Sequence, residues 1–311
     1  MMADAVGVEG LTKRFGALAA VERLSFSVHP GEIFGLVGPD GAGKTTAMRM
    51  LASVMRPDAG SIVIDGIDVL AEPEEAKRHV SYMPQRFGLY EDLTVDENIR
   101  FYADLFEVPR RLWQVRAASM LAAADMTAYR GRLAGQLSGG MKQKLGLTCS
   151  LVHTPRVLLL DEPTTGVDPL SRREFWQILY SLRAEGVAML ISTAYLDEAE
   201  RCDRLALLHQ GAMLHCDTPA RLKSRMPGAM LEVVSPDPRR VRDAALPLAG
   251  VLGVLLVGNG AHIRVDDAHL RAAQIAAALA AARVPTTQID EVAPTMEDLF
   301  VALLEQQAEP A

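Results

Sequence analysis

The sequence predicts an α/β fold built on a mainly parallel sheet, followed by a smaller α+β domain. Over about the first 220 residues, short apolar runs alternate with longer amphipathic ones. The runs Arg156–Glu162 and Val187–Thr193 are almost wholly apolar, which is typical of strands buried on both faces of a parallel sheet. In such a fold, phosphate chemistry is expected where the strands end at their carboxyl side.

The remaining elements of this part follow the same alternation. Further predicted strands are Val21–Val28, Glu32–Gly38 and Ser61–Gly66, and predicted helices are Lys44–Met55 and Pro169–Glu185. Between about residues 87 and 151 the strand signals stop, and Thr94 begins a capping box, TVDE, that opens an amphipathic run. We therefore predict an all-helical insertion within the α/β domain.

The pattern changes again after about residue 225. Apolar and helical runs then follow in the order βαββαβα, which predicts a small split-βαβ domain of the ferredoxin-like kind. Its last helix lies in PTMEDLFVALLEQ, with Thr295 as the candidate N-cap. The predicted domains are residues 1–225 and 226–311.

Composition limits the class of function. The chain has 311 residues, 49% of them hydrophobic, and a net charge of −7, which argues against a general nucleic-acid binder. It has no apolar run that approaches the ~18–20 residues of a membrane span, and the segment MMADAVGVEG lacks the basic start and the apolar stretch typical of a signal peptide. Its three cysteines, Cys149, Cys202 and Cys216, lack metal-ligand spacing and are interpreted as reduced packing residues. We expect a cytoplasmic protein that can still dock onto a membrane partner.

The segment GPDGAGKTT, Gly38–Thr46, fits the pattern G-x-x-x-x-G-K-[ST] between a predicted strand and a predicted helix. Its glycines let the backbone wrap so that N–H groups point at phosphates, and the helix N-terminus adds positive potential. Lys44 would reach the β- and γ-phosphates, and the hydroxyl of Thr45 would bind Mg²⁺. The alternative, a Gly-rich turn that matches by chance, is disfavoured by the strand and helix on either side.

The segment VLLLDEP, Val157–Pro163, ends a buried strand with two carboxylates. Such groups are costly to bury unless they have partners or a chemical role. Asp161 would hold Mg²⁺ through its water shell, and Glu162 would orient or deprotonate the attacking water. The alternative is that both carboxylates only cap the junction between strand and loop.

The segment LSGGMKQK, Leu137–Lys144, places Ser138, Gly139 and Gly140 at the start of a helix. A hydroxyl, free N–H groups and the helix dipole make this start a second candidate anion site. One ATP cannot easily use both anion sites of one subunit, whereas two subunits arranged head to tail could each supply one.

Together these segments resemble the ATP-binding cassette (ABC) family of transporter ATPases. The resemblance implies a P-loop NTPase fold that binds ATP with Mg²⁺. It implies nucleotide contacts from Gly38, Pro39, Asp40, Gly41, Ala42, Gly43, Lys44, Thr45, Thr46, Ser138, Gly139 and Gly140. Phe15 stands where the family places an aromatic ring that stacks on adenine. Catalytic roles are implied for Glu162, Gln85 and Lys44, and metal binding for Thr45, Gln85 and Asp161.

Further segments are similar to ATPase subunits of ABC-2-type exporters of drugs, polyketides or polysaccharides. These segments are YEDLTVDENI, LSGGMKQKL, STAYLDEAE and PTMEDLF. The similarity implies a membrane-spanning permease as partner, docked near Arg86–Asp92 on the inner face of the cell membrane. It also implies a second cassette, with nucleotide between the Walker A segment (Gly38–Thr45) of one chain and LSGGM (Leu137–Met141) of the other. The C-terminal domain would serve protein contact or regulation, or would only stabilise the chain.

Two departures from the family pattern are expected to cost little. Met141 replaces a common Gln, but the phosphate contacts come from Ser138 and the backbone. Asp40 replaces a common Asn, and both residues tolerate left-handed turns.

Ala194 is the departure with a consequence, because the family places a histidine there that contacts the γ-phosphate. The histidines nearest in sequence, His153 and His209, belong to other elements. If the strand persists, the hydroxyl of Tyr195 points to the opposite face. Loss of one preorganised donor costs on the order of 10²–10³ in rate. Either water or Gln85 compensates, or this chain is a half-silent, regulatory cassette that holds ATP and completes a partner's site.

Overall fold

The structure is a computed structural model that describes residues 4–86 and 88–308. The outer ends of both predicted domains, residues 1–3 and 309–311, lie outside the described residues, as does Phe87, where the predicted insertion begins. Residue contacts divide the chain into one unit that ends at Asp217 and another that begins at Thr218. The predicted division was at residue 225.

The first unit alternates strands and helices. Its strands are β1 (Val6–Phe15), β2 (Leu18–Val28), β3 (Ile33–Val37), β4 (Ala59–Ile64), β5 (Ile67–Asp68), β6 (Val80–Met83), β7 (Val157–Asp161), β8 (Ala188–Thr193), β9 (Arg204–His209) and β10 (Ala212–Asp217). Its helices are α1 (Lys44–Leu51), α2 (Pro73–His79), α3 (Val95–Leu105), α4 (Arg110–Ala123), α5 (Gly139–Leu151), α6 (Pro169–Ala184) and α7 (Leu196–Ala199). Helix α1 is shorter than predicted, because Ser53 takes a left-handed conformation with φ 55°.

The central sheet has six strands in the order β10-β9-β3-β8-β7-β6. All neighbours are parallel except β10, which pairs antiparallel with β9. Every residue of β3, β7 and β8 is buried, as expected for strands covered on both faces. The predicted parallel sheet is confirmed. Because β3, β8 and β7 are neighbours, the segments that follow them emerge side by side at one edge.

A second sheet of this unit is antiparallel, with the order β2-β1-β4-β5. Strands β2 and β4 were predicted as strands, but the separate sheet and β1 were not. The pairing of β1 with β2 shifts register between Val8 and Leu11 and again between Leu11 and Arg14. These irregularities break the strict alternation by which a half-buried strand is recognised in sequence.

Helices α3, α4 and α5 form the helical region, with short 3₁₀ turns at Thr127–Tyr129 and Ala134–Gln136. The predicted capping box at Thr94 is present: its hydroxyl accepts from the N–H of Glu97, whose carboxylate accepts from the N–H of Thr94. The helices share a core of apolar side chains, among them Val95, Ile99, Trp113, Ala117, Leu121, Leu145 and Cys149.

The second unit contains α8 (Pro219–Ser224), β11 (Ala229–Val234), α9 (Pro238–Ala245), β12 (Val251–Val257), β13 (Gly260–Val265), α10 (Ala268–Ala281), β14 (Gln288–Val292) and α11 (Met296–Ala308). Its antiparallel sheet has the order β12-β13-β11-β14. Thr295 caps α11, because its hydroxyl accepts from the N–H of Asp298. Among the described residues of the whole chain, no helix is both long and apolar enough to cross a membrane.

Candidate functional site

The turn between β3 and α1 forms a tight loop with its lysine folded back onto it. Gly43, before α1, has φ 99°, and a Cβ there would lie 2.2 Å from the carbonyl oxygen of Ala20. Only glycine fits that conformation and that space. The Nζ of Lys44 donates to the carbonyl oxygens of Gly38 and Pro39 at 2.8 and 3.1 Å. The side chain of Lys44 is 4% exposed, so its ammonium group is buried against the loop carbonyls.

Two of the predicted residues, Lys44 and Gln85, contact a third, Glu162. The Nζ of Lys44 lies 3.2 Å from Oε1 of Glu162, and Nε2 of Gln85 donates to Oε2 at 2.8 Å. Glu162 follows β7 in a left-handed conformation with φ 49°. Its N–H donates to the hydroxyl of Ser192 on β8 at 3.0 Å. A strained position held by a neighbouring strand is a common feature of functional sites, and here it aims the carboxylate at the lysine.

Asp161, at the end of β7, is the partner of Thr45. The hydroxyl of Thr45 donates to Oδ1 of Asp161 at 3.1 Å, and that of Ser192 donates to the same oxygen at 2.5 Å. The phenol of Tyr82 donates to the other oxygen, Oδ2, at 3.2 Å. Asp161 is buried, and each of its carboxylate oxygens is bound by a hydroxyl. Its orientation is therefore fixed by three separate elements.

Sequence reasoning missed Tyr82. Burial and the nearby Asp161 carboxylate raise the pKa of Tyr82 to about 12, so the phenol stays protonated and keeps donating. The residue lies on β6, three positions before Gln85 and beside β7 in the sheet. The strand SYM preceding Gln85 was the available signal, but only the pairing of β6 with β7 brings the phenol to Asp161.

Lys44, Gln85 and Glu162 line a cavity of about 920 Å³, within the size range of small-molecule sites. Its lining residues are Phe15, Ala17, Leu18, Ala19, Ala20, Asp40, Gly41, Ala42, Gly43, Lys44, Thr45, Thr46, Gln85, Glu162 and Gln210. Most of the predicted phosphate-loop residues, the predicted stacking residue Phe15 and all three predicted catalytic residues therefore line the cavity, whereas Gly38, Pro39 and the predicted metal ligand Asp161 do not. Gln210, in the turn between β9 and β10, was not foreseen.

The predicted second anion site does not line this cavity. It consists of Ser138, Gly139 and Gly140 at the start of α5. Ser138 caps α5, its hydroxyl accepting from the N–H of Met141 at 3.3 Å. A Cβ on Gly140 would lie 2.5 Å from the Cβ of Ser171, and one on Gly139 would lie 3.7 Å from the carbonyl oxygen of Gly166. The helix start predicted as an anion site thus packs beside the N-terminus of α6, and none of its three residues lines the cavity.

Ala194 follows the last residue of β8 and is exposed. The strand ends at Thr193, so the predicted alternation does not decide the direction of Tyr195. Instead, the Tyr195 ring packs against the guanidinium of Arg172, 4.5 Å from ring centroid to Cζ. The methyl group of Ala194 therefore offers no hydrogen bond at the position where the family pattern has a histidine.

Comparison with known proteins identifies the family. A family profile described as ABC transporter matches residues 21–165. The chain is 44% identical to the probable multidrug ABC transporter ATP-binding protein YbhF of Escherichia coli (strain K12), over 97% of this chain and 53% of that protein. It is 34% identical to the daunorubicin resistance ATP-binding protein DrrA2 of Streptomyces coeruleorubidus, over 98% of this chain and 96% of that protein. The chain belongs to the ABC transporter ATP-binding family.

Solved ABC structures show the same fold. The structure of an ATP-binding subunit of an ABC transporter superposes with a TM-score of 0.65 at 30% identity, covering 71% of this chain and 92% of that one. A dimeric bacterial ABC transporter cassette has a TM-score of 0.63 at 23% identity, covering 68% and 98%. The chain spans about half the length of YbhF, 53%, and nearly all of DrrA2.

The ABC family implies ATP, and the residues of this cassette fit it. A Gly-rich loop with a buried lysine matches a phosphate chain in shape and charge. Beside it, the hydroxyl of Thr45 and the carboxylate of Asp161 form an oxygen donor set. Oxygen donors of this kind are what Mg²⁺ prefers in nucleotide sites. Both groups therefore suit the chemistry of the cavity.

Proposed function

We propose that this chain binds and hydrolyses Mg-ATP to power an ABC-2-type membrane exporter. The observation that carries the proposal is the convergence of Lys44 and Gln85 on Glu162 at 3.2 and 2.8 Å, beside the phosphate loop. A cation, a carboxylate and an amide within one cavity are the parts required to bind a triphosphate and to position water for attack on it.

Different lining residues of the cavity would bind the phosphates and the base of the nucleotide. Lys44 and the N–H groups of Gly43–Thr46, at the start of α1, would bind the phosphates, since they supply the positive potential of this region. Phe15, which also lines the cavity and is half exposed, would offer a ring face to the base. Aromatic stacking holds a base without reading its edges. The nucleotide then spans the cavity from Phe15 to Lys44.

Glu162 acts as the general base in this proposal. Its carboxylate accepts a proton from the attacking water, and the Gln85 amide fixes the direction of that carboxylate through the bond to Oε2. Thr45, Asp161 and Gln85 would hold Mg²⁺, and Tyr82 orients Asp161 from behind. The metal, when bound, neutralises charge on the phosphate oxygens.

The position of Ser138–Gly140 supports a head-to-tail pair of cassettes. These residues lie beside Gly166 and Ser171 and do not line the cavity of their own chain. In the proposed dimer they close the cavity of a second cassette, either another copy or a different chain. The nucleotide would then lie between Walker A of one chain and LSGGM of the other.

Export through a membrane partner is proposed from the relatives and from one exposed surface. The relatives carry the names multidrug transporter, daunorubicin resistance and Nod factor export protein. In the helical region, Tyr90, Phe101 and Leu105 are all exposed, and the ring centroids of Tyr90 and Phe101 lie 4.6 Å apart. An exposed aromatic group of this kind suits a docking partner. We propose an ABC-2-type permease there, with the cassette on the inner face of the membrane.

A second candidate function is favoured by Ala194. The residue is exposed at the end of β8 and has no side-chain donor, and the Tyr195 ring is packed on Arg172. A cassette of this kind would hold ATP, turn it over slowly and complete the faster site of a partner. The two candidates differ in turnover, not in nucleotide binding.

The deciding experiment measures phosphate release and nucleotide binding on the same preparation. The wild-type chain is compared with Lys44→Ala, and Lys77→Ala on the exposed face of α2 is the matched control. Hydrolysis that is lost only in Lys44→Ala supports the first function. Tight ATP binding without release in the wild type supports the second. Absence of ATP binding in the wild type contradicts both.

A further inference from the structure

Glu198 is a fully buried carboxylate, 0% exposed, on the short helix α7. Three donors from three other segments reach it. The hydroxyl of Thr193 at the end of β8 donates to Oε2 at 2.8 Å, and the indole N–H of Trp176 on α6 donates to Oε1 at 3.3 Å. The hydroxyl of Thr164, in the loop after β7, also donates to Oε1. A buried carboxylate held in this way fixes the three segments relative to one another.

The counter-charge of Glu198 is Arg172, whose Nε lies 3.7 Å from Oε1. That Nε is buried and has no hydrogen-bond partner among the described residues, so the contact is an ion pair without a hydrogen bond. The same guanidinium covers the ring of Tyr195. Burying an ion pair is costly and by itself adds little stability. The arrangement therefore calls for a role beyond stability.

On one side, this network holds both neighbours of Ala194. The N–H of Tyr195 donates to the hydroxyl of Thr193 at 3.0 Å, and that hydroxyl donates in turn to Glu198. The carbonyl oxygen of Thr193 accepts from the N–H of Gly38, the first glycine of the phosphate loop, at 3.2 Å. The backbone at Ala194 is thus fixed without any contribution from its own side chain.

On the other side, the network reaches the proposed general base. Thr164 lies two residues after Glu162. The next residue, Thr165, places its hydroxyl 3.4 Å from Oε2 of Glu162. The bond from Thr164 to Glu198 therefore ties the loop that carries Glu162 to the end of β8. Movement of either segment would change the distance between Glu162 and the phosphate loop.

We propose that Glu198 is a positioning residue for ATP hydrolysis. It holds Glu162 and the backbone at Ala194 in fixed positions relative to the phosphate loop. This inference rests on the proposed hydrolysis of ATP. It assigns Glu198 no contact with the nucleotide. Removal of its bonds should therefore lower the rate of the chemical step and leave nucleotide affinity unchanged, since a small misplacement of a catalytic group is enough to cost about 10²-fold.

The first experiment compares Thr164→Val, Thr164→Ser and Glu198→Gln in the full chain. Thr164→Val keeps the shape and removes the donor, and we expect kcat to fall about tenfold or more. The dissociation constant for a fluorescent ATP analogue should stay within about twofold. Thr164→Ser restores the hydroxyl and should recover the rate. Equal rates for Thr164→Val and Thr164→Ser would overturn the proposal.

Glu32→Gln is the matched control for Glu198→Gln. Glu32 is also buried and paired with an arginine, Arg204, at 3.1 Å, but it precedes β3 at the opposite end of that strand from the phosphate loop. A general loss of stability would lower the two rates alike, whereas positioning predicts a larger loss in Glu198→Gln. Equal losses in both variants would overturn the proposal.

A second readout does not depend on hydrolysis. Because the N–H of Tyr195 is bound to Thr193, whose hydroxyl is bound to Glu198, hydrogen exchange over residues 192–195 should be faster in Glu198→Gln than in the wild type. The control Glu32→Gln should leave this segment unchanged. If the wild type does not hydrolyse ATP, the proposed function fails. Hydrogen exchange over residues 192–195 then tests by itself whether Glu198 holds this segment in place. Unchanged exchange in Glu198→Gln would overturn the positioning role.

Discussion

Lys44 and Glu162 form an ion pair across the floor of the cavity, with Nζ and Oε1 3.2 Å apart and the two side chains 4% and 11% exposed. Burial leaves little solvent to screen this attraction. A triphosphate that enters the cavity brings negative charge to the same ammonium group. The phosphates and Glu162 therefore compete for Lys44, and the carboxylate must give up part of that contact when nucleotide binds.

This competition leads to a prediction for Glu162→Gln. Removing the charge should tighten ATP binding, because Lys44 is no longer shared with a carboxylate. The same change should lower hydrolysis about 10²-fold or more, since it removes the proposed general base. Binding of a fluorescent ATP analogue and steady-state phosphate release test the two effects. Weaker ATP binding in Glu162→Gln would contradict the competition.

Ala194→His should raise turnover about tenfold or more, because it adds a donor beside the phosphate loop at a site that lacks one. Ala194→Leu adds similar bulk without a hydrogen bond and should not raise it. Phosphate release at saturating ATP measures both. If the histidine brings no gain and the wild type already turns over several times per second, the half-silent cassette is the wrong interpretation.

Tyr82→Phe should raise the Mg²⁺ concentration needed for half-maximal hydrolysis about tenfold, because Oδ2 of Asp161 loses its donor. Titration of Mg²⁺ at fixed ATP measures the change. Tyr129→Phe, in a 3₁₀ turn of the helical region, is the control and should behave as the wild type. An unchanged Mg²⁺ requirement in Tyr82→Phe would show that Tyr82 does not set the orientation of Asp161.

Gly43→Ala should weaken ATP binding at least about tenfold, since the added Cβ would lie 2.2 Å from the carbonyl oxygen of Ala20 and must displace the loop. Gly186→Ala is the matched control. Gly186 also has a positive φ, 90°, but a Cβ there meets nothing within 4 Å. Comparable loss of binding in both variants would point to general strain instead of displacement of the loop.

His262 and Asp298 make the second unit sensitive to pH. The hydrogen bond to Asp298 raises the pKa of His262 although burial opposes it, and the carboxylates of Glu232 and Glu297 add to the rise. A histidine whose pKa is raised in the folded state stabilises the fold at pH values below its ordinary pKa of about 6.5. This contribution is lost as the pH rises through the folded-state pKa. Burial acts to raise the pKa of Asp298, but hydrogen bonds from His262 and Thr295 hold it below its usual value. The stability that Asp298 contributes is lost only as the pH falls through its lowered folded-state pKa.

His262 should therefore raise the unfolding temperature more at pH 6 than at pH 8, against the opposite effect of His153, whose pKa burial lowers to about 4. In thermal unfolding, the difference between these two pH values should shift toward lower stability at pH 6 in His262→Gln. His29→Gln, at an exposed histidine paired with Asp4, is the control and should keep the wild-type difference. Should His262→Gln keep that difference as well, another group would be responsible for the pH dependence.

Parts of the site that depend on local spacing could be predicted from sequence. The loop at Gly38–Thr46 and the carboxylates at the end of β7 belong to single segments, in which spacing sets geometry. Tyr82 and Glu198 could not be predicted in their roles, because their partners lie on strands and loops distant in the chain. Their contacts exist only once β6, β7 and β8 are paired.

The fold prediction has the same limit, because only a pattern contained within one segment can be recognised from sequence. Buried strands β7 and β8 carry an unbroken apolar signal and were predicted. Strand β1 has an irregular register and alternates polar with apolar residues unevenly, so its pattern resembles a loop. The capping box at Thr94 was predicted because all its groups lie within four residues.

The lining around Phe15, where we propose that the base binds, is poor in polar side chains. Phe15 and Leu18 are followed by two alanines, Ala19 and Ala20, and Gln210 is the residue there with an amide. Such a surface would contact the flat face of a purine, and because the amide of Gln210 can both donate and accept, it would not favour an amino group over a keto group on the purine edge. The chain should therefore accept guanosine and inosine triphosphates nearly as well as ATP, and the nucleotide it uses in the cell would be set by abundance instead of by selection.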